Sequence, residues 1–158
     1  DSFVGANPEK WQAVQATGKK GIEDAYNTKL NNKVATLIIL KCGNDNFFEA
    51  TSEYYDKERK GDYILFCRHM NEVIYTTFTT QRSDVKIDTS TTVDNINGLT
   101  FQTINIKCIY PGGTIKYVKI ARRLFADREL TVSMMYGNVA AGDRMMAAFS
   151  KSKFGVRE

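Results

Sequence analysis

The clearest pattern along the chain is the alternation of apolar and polar positions in its second half. Within residues 99–110, every second residue from Ile104 to Tyr110 is apolar, which is typical of a strand with one buried face. Residues 114–124 and 129–136 continue the alternation, and the Pro-Gly-Gly sequence at 111–113 separates the first two segments with a turn signal. The three segments predict an antiparallel meander.

Turn-forming residues lie just before this meander. Asp94-Asn95 and Asn97-Gly98 are both pairs that favour chain reversal. Ahead of them, residues 85–88 predict a short strand and residues 89–92 predict a polar connection. The stretch 94–101 is therefore expected to lead from a connection into the first strand of the meander.

Helical spacing is found on both sides of the strand region. After the meander, residues 142–150 predict a closing helix that presents Met145, Met146 and Phe149 to the sheet. Before it, apolar positions in residues 62–81 recur at intervals of three and four, and Gly61-Asp62 offers a cap. The β-branched and aromatic residues of this second segment favour a strand instead. Because packing often overrides propensity, we predict a helix.

The first third of the chain combines helix signals with a strand pair. Residues 8–16 predict a short helix that starts at Asn7-Pro8, and a second helical piece is expected around residues 22–30. Residues 34–42 are β-branched and apolar on both alternations, which predicts a central strand covered on both faces. A turn at 43–46 and a strand over 47–55 are expected to follow.

This order of elements predicts an α+β fold: an α/β/α sandwich with a mostly antiparallel central sheet, a C-terminal three-stranded meander and a closing helix. With 158 residues, the chain has the usual size of one domain with its own core. We therefore expect a single domain over residues 1–158.

Composition excludes several classes of protein. The chain is 42% hydrophobic and 25% charged, which is typical of a globular domain and not of a disordered one. Its longest apolar run, at residues 35–40, is interrupted by Thr36 and ends at Lys41, so it is too short for a membrane span, which needs about 20 residues. The net charge of +4 is mild, and the scattered basic residues give no strong nucleic-acid signal. The chain starts at Asp1 instead of Met, which fits an exported protein without its leader or a recombinant chain that lacks it.

Three short motifs carry a resemblance to a known family. These are Ile96-Asn97-Gly98-Leu99-Thr100-Phe101, the strand 130–136, and residues 145–154 with Ser152-Lys153-Phe154. Together they resemble the Mog1/PsbP-like group of α/β/α sandwiches, particularly its small bacterial exported members. The sequence departs from the group's pattern near its N-terminus. There, only Phe3-Val4 could supply the group's opening strand, and Pro8 and Trp11 match weakly. The resemblance implies an accessory or binding protein of the periplasm or cell envelope, lipoproteins included, and carries over no catalytic residues.

His69 is the only histidine, so any imidazole acid–base mechanism must use it. On a helix, Cys67 and His69 point about 200° apart, which argues against a local catalytic dyad. On a strand the two would share a face. A small hydrolase or other enzyme using His69 with nearby carboxylates or Cys67 is the alternative to a non-catalytic protein.

The three cysteines, Cys42, Cys67 and Cys108, show no paired spacing of the kind used by structural zinc sites. We therefore predict no metal and no cofactor. Cys42 and Cys108 are expected to fill buried strand positions. A disulfide between Cys67 and Cys108 is the alternative if the helix over 62–81 meets the sheet at Cys108.

A basic and aromatic cluster on one predicted strand is the candidate binding surface. Its residues are Lys116, Tyr117, Lys119, Arg122 and Arg123. Tyrosine joins apolar area to a polar tip, and the cations suit another envelope protein with an acidic surface, or a phosphate backbone. The simpler alternative is an edge strand whose lysines block aggregation. The sequence thus favours a non-catalytic exported binding or accessory domain.

Overall fold

The computed structural model describes residues 34–154, together with Val4, Gly5, Ala16 and Lys20. The helices predicted over 8–16 and 22–30 fall, except for Ala16, outside the described residues. The strands are β1 (Val4–Gly5), β2 (Ala35–Cys42), β3 (Asn46–Tyr54), β4 (Lys86–Ile96), β5 (Leu99–Ile109), β6 (Ile115–Phe125) and β7 (Arg128–Tyr136). The described helices are α1 (Lys57–Lys60), α2 (Tyr63–Gln81) and α3 (Val139–Phe149).

The strands form one seven-stranded sheet in the order β1-β2-β3-β7-β6-β5-β4. Every neighbouring pair is antiparallel. Because successive side chains of a strand point to opposite faces, each strand contributes to two layers. The architecture is therefore defined by the helices that pack on each face of the sheet.

The helices α2 and α3 lie on opposite faces of this sheet. On one face, which we call the α3 face, Met145 and Phe149 pack with Phe101 in a core cluster. On the other, the α2 face, Phe78 packs against a cluster that includes Ile104. Residues 101 and 104 of β5 point to opposite sides of the sheet. The structure is therefore an α+β fold with an α/β/α sandwich architecture, as the sequence predicts.

The turn at Asn97-Gly98 joins two long strands. Both residues have positive φ, 50° and 80°, the conformation of the type I′ loops that match the twist of a tight hairpin. The register runs without a break from the Ile96–Leu99 pair to the far end of β4. The predicted connection over 89–92 is wrong, because these residues lie inside β4. An exposed edge strand needs no apolar alternation, and β-branched threonines suffice to extend it.

The meander consequently has four strands instead of the three predicted, with β4 as its first member. Its hairpins are all short, so β4 to β7 lie side by side in chain order. The closing helix α3 then returns over the α3 face, where Gly142 lets it approach closely. A Cβ at Gly142 would lie 2.5 Å from the ring of Tyr136.

Residues 63–81 are a helix, which confirms the prediction from spacing over the one from propensity. The Asp62 carboxylate caps it by accepting the N–H groups of Ile64 and Leu65, both at 3.0 Å. Thr77 satisfies its hydroxyl within the helix by donating to the carbonyl of Val73 at 2.8 Å. Burial of one apolar stripe against the sheet outweighs the strand preference of these residues.

The expectation that residues 34–42 form a central strand covered on both faces is wrong. β2 is the second strand from one end of the sheet, and Leu37 and Ile38 are 59% and 44% exposed. Apolar residues on both alternations show that both faces of a strand are apolar, but they do not show that both faces are covered. The exposed apolar side chains of β2 instead border a groove.

Candidate functional site

An apolar groove opens on the α3 face, between β2 and α3. Its volume is about 660 Å³, within the range of small-molecule sites. The lining residues are Leu37, Ile38, Leu40, Phe48, Ala50, Leu130, Val132, Arg144, Met145, Ala148, Phe149, Ser152 and Phe154. All but Arg144 and Ser152 are apolar.

The groove exists because α3 covers only part of its face. With 11 residues, α3 packs over β7 and leaves the outer strands β2 and β3 without a helix from the described part of the chain. The small side chain of Ala50 forms the floor, where it pairs with Val132 across β3 and β7. Phe149 forms the inner wall and meets Phe48 edge to face at a centroid distance of 6.3 Å.

Arg144 is the charged residue of the groove lining. It lies on α3 with an exposed side chain, and it makes no ion pair with any residue of 34–154. A guanidinium at the rim of an apolar groove attracts an anionic group without the desolvation cost of a buried charge. The groove thus combines an apolar body with a positive end.

A second feature is a buried polar cluster beneath α2. Glu129 and Arg122 are only 3% and 5% exposed, and both project from the α2 face of the neighbouring strands β7 and β6. The Arg122 Nη1 group donates a hydrogen bond of 2.9 Å to Oδ1 of Asn71 on α2. Tyr63 and the 2% exposed Cys67, also from α2, complete the cluster.

The electrostatics of this cluster keep the Tyr63 phenol and the Cys67 thiol neutral. Burial raises the pKa of the Tyr63 phenol and of the Cys67 thiol, and the neighbouring Glu129 carboxylate raises both further. Burial also raises the pKa of Glu129, against the opposing charge of Arg122. Both the Tyr63 hydroxyl and Glu129 Oε2 are buried without a well-aligned hydrogen-bond partner. A buried thiol with a raised pKa lacks the thiolate character of a catalytic cysteine.

The raised pKa of Glu129 predicts a specific pH dependence of stability. Its neutral form suits the folded state better than its charged form, so its contribution is fully present below the unfolded carboxyl pKa. That contribution is lost as pH rises through the raised folded pKa. Glu129→Gln removes this titration. Urea unfolding at several pH values should show wild type losing stability relative to E129Q as pH rises above the ordinary carboxyl pKa of 4.5. A difference in unfolding free energy between wild type and E129Q that does not change with pH would contradict a raised pKa for Glu129.

The structure separates the residues considered for catalysis or metal binding. The His69 side chain is 71% exposed, and its Nδ1 lies 3.9 Å from the Glu72 carboxylate. Cys67 points into the protein, as the helical spacing predicts. Cys42, Cys67 and Cys108 are all free and buried, so the Cys67–Cys108 disulfide is not formed. Within the described residues, no group of three or more His, Cys, Asp or Glu side chains could hold a metal ion.

The predicted basic surface is divided between the two faces of the sheet. Tyr117, Lys119 and Arg123 lie on the α3 face, whereas Lys116 and Arg122 lie on the α2 face. The alternative explanation for them, an edge strand protected by lysines, is wrong because β6 lies between β5 and β7.

Each member of this basic set also has a partner within the protein. Lys116 forms an ion pair of 2.9 Å with Asp45, and Lys119 one of 3.1 Å with Asp94. Arg123 donates to the carbonyl of Thr100 at 2.8 Å, and Tyr117 stacks on Tyr136. Binding of an acidic partner by these residues stays a prediction.

The apolar groove was missed by sequence reasoning. Its signal is the run of apolar residues in β2, which marks two apolar faces, together with a closing helix too short to cover a seven-stranded sheet. The described helices contain no segment long and apolar enough to cross a lipid bilayer. Comparison with protein-family models and with known proteins of assigned function finds no match.

Proposed function

We propose that the chain is a non-catalytic binding domain whose apolar groove holds an elongated apolar molecule with an anionic head group. The observation that carries this proposal is the composition of the groove, in which 11 apolar side chains surround a single charged one, Arg144. The resemblance to accessory and binding proteins supports the same role.

Exposed apolar area is what makes the groove a favourable site. Leu37 and Ile38 keep about half of their surface in contact with water, and transfer of such surface to an apolar ligand is favourable by about 25 cal/mol per Å². The buried Met145 and Phe149 hold the opposite wall in place. A preformed, largely apolar cleft with few polar groups is the usual form of a small-molecule site.

Arg144 defines which amphiphile suits the groove. Its charge favours a carboxylate, sulfate or phosphate head over a neutral or cationic one, because a charge-assisted hydrogen bond to guanidinium is stronger than a neutral one. The groove wall then contacts the hydrocarbon body. A fatty acid is the simplest molecule with both parts.

Laurate and dodecanol, which share a hydrocarbon chain and differ in the head group, test this assignment. We expect the protein to bind both, and we expect Arg144→Glu to weaken laurate binding about fivefold while changing dodecanol binding less than about twofold. Ile38→Asp, which places a charge in the apolar wall, should weaken both. Displacement of a fluorescent apolar probe measures each affinity.

Arg59→Glu is the matched control, because Arg59 lies on α1 with an exposed side chain and makes no contact with the groove. It changes the net charge by the same amount as R144E, so equal weakening of laurate by the two variants would assign the effect to overall charge. Failure of folded wild-type protein to bind either ligand would contradict the proposal.

Export and an accessory role belong to the same proposal. They are supported by the resemblance of residues 96–101 and 145–154 to small exported proteins, and fractionation of cells that express the full gene tests the location. The alternative, an enzyme that uses His69 with nearby carboxylates, stays a prediction.

A further inference from the structure

The two edges of the sheet differ in how they are protected. At one edge, β1 comprises 2 residues within the described part of the chain, and short strands are a common defence against edge-to-edge pairing. At the other edge, β4 is 11 residues long and pairs with β5 without a bulge. Its central residues, Thr89 to Val93, include no charge and no proline. Such an edge is a template for another strand.

The hairpin turn fixes which backbone groups of β4 are available. The pair that closes a two-residue loop is hydrogen bonded, so Ile96 bonds to Leu99 and every second residue of β4 from there also bonds to β5. The residues in between, including Thr89, Thr91 and Val93, direct their N–H and C=O groups outward. Within the described residues, no strand pairs with this side of β4.

We propose that β4 pairs antiparallel with β4 of a second copy of this chain, about a two-fold axis at Ser90, to give one continuous sheet. An interface of this kind must be self-complementary, because each residue meets its symmetry partner. The sequence of β4 is self-complementary when the two-fold axis passes through Ser90. The register places Thr89 opposite Thr91, and Ile87 opposite Val93, which is 64% exposed in the single chain.

Charge is complementary in the same register. On the α3 face, Lys86 meets Asp94 of the second copy, beside the ion pair that Asp94 makes with Lys119 of its own chain, and two-fold symmetry repeats this contact. Registers centred on neighbouring residues lose it: a centre at Thr91 sets Asp88 against Asp94, two like charges. Opposite charges across strands are favourable and like charges are unfavourable, so the charges select the register centred on Ser90.

The helix α2 supplies a second complementary layer. Arg68, Glu72 and Tyr75 line a cavity of about 480 Å³ with Thr89 and Thr91. Ile64 and Val93 line the adjoining cavity. Thus α2 runs antiparallel to β4, and its midpoint lies beside the proposed axis.

The two-fold axis sets α2 antiparallel to α2 of the second copy. It brings Arg68 of each copy toward Glu72 of the other, so the interface contains this contact two times. The cavities beside β4 become the space that this second helix fills. The exposed apolar side chains of α2, among them Leu65 at 60% and Tyr75 at 45%, are then covered in pairs.

Cysteine cross-linking tests the register. Across the axis, the two copies of Ser90 form a non-hydrogen-bonded pair with Cα atoms about 4.5 Å apart, which suits a disulfide. We expect Ser90→Cys to cross-link under mild oxidation. Thr92→Cys is the matched control, because its two copies are offset by about 13 Å along the strands. Equal cross-linking of the two variants, or none of S90C, would overturn the proposal. The natural cysteines do not interfere, since all are buried.

Sedimentation equilibrium tests the pairing without added cysteines. Thr91→Pro removes an outward N–H but no bond to β5, so it should weaken association at least about tenfold while far-UV circular dichroism is unchanged. Thr91→Val keeps the N–H group and should associate like wild type. R68E should weaken association about tenfold, and the double variant R68E/E72R should restore it. A monomeric wild type up to about 500 µM, or a double variant no tighter than R68E, would overturn the proposal.

Discussion

Arg122→Met is expected to lower the free energy of unfolding by about 3–5 kcal/mol where Glu129 is ionised, because it removes the buried positive charge that opposes the effect of burial on this carboxylate. Arg122 is 5% exposed and Glu129 is 3% exposed. Arg122 also donates the 2.9 Å hydrogen bond to Asn71, so the variant removes the donor that satisfies this amide oxygen. Urea unfolding followed by circular dichroism measures the loss.

The double variant Arg122→Met with Glu129→Leu is the control for this prediction. Replacing two buried groups of opposite charge by apolar residues of similar volume is commonly neutral or stabilising. We therefore expect the double variant to recover most of the stability lost in R122M. The loss in R122M should also shrink at acid pH, where Glu129 is protonated in both states. A cost below about 1 kcal/mol in the single variant would show that the pair is not coupled.

Regular periodicity made the strands β5, β6 and β7 and the helix α2 predictable from sequence. Each has one buried face, so the spacing of its apolar residues directly reflects what it packs against. The edge strand β4 was cut short in the prediction because neither of its faces carries a regular apolar stripe. The strand β2 was placed at the centre because an apolar run does not reveal whether its faces are covered.

The sites were harder to predict for a different reason. The polar cluster joins residues from three elements, as Asn71, Arg122 and Glu129 illustrate, and no spacing within the sequence links them. The groove arises from the length of α3 relative to the width of the sheet, which is a property of the assembled fold. The basic residues of β6 formed a cluster in sequence, but alternation along the strand sends Arg122 and Arg123 to opposite faces.

Phe101→Ala is expected to destabilise the protein by about 3–5 kcal/mol, because it removes a large, fully buried ring and leaves a cavity. Phe101 is 0% exposed and is the third residue of β5 after the Asn97-Gly98 turn. Its ring centroid lies 5.4 Å from that of Phe149 and 5.7 Å from that of Phe154. Urea unfolding measures the loss.

Two comparisons separate this effect from a general effect of removing an aromatic side chain. Tyr54→Ala removes a 59% exposed ring and should change stability by less than about 0.5 kcal/mol. Phe101→Leu keeps most of the buried volume, so its loss of stability should lie between those of F101A and Y54A. Because Phe149 and Phe154 also line the groove, loss of the ring that supports them should weaken laurate binding in F101A as well. A stable F101A protein with unchanged laurate affinity would show that the groove wall does not depend on this core.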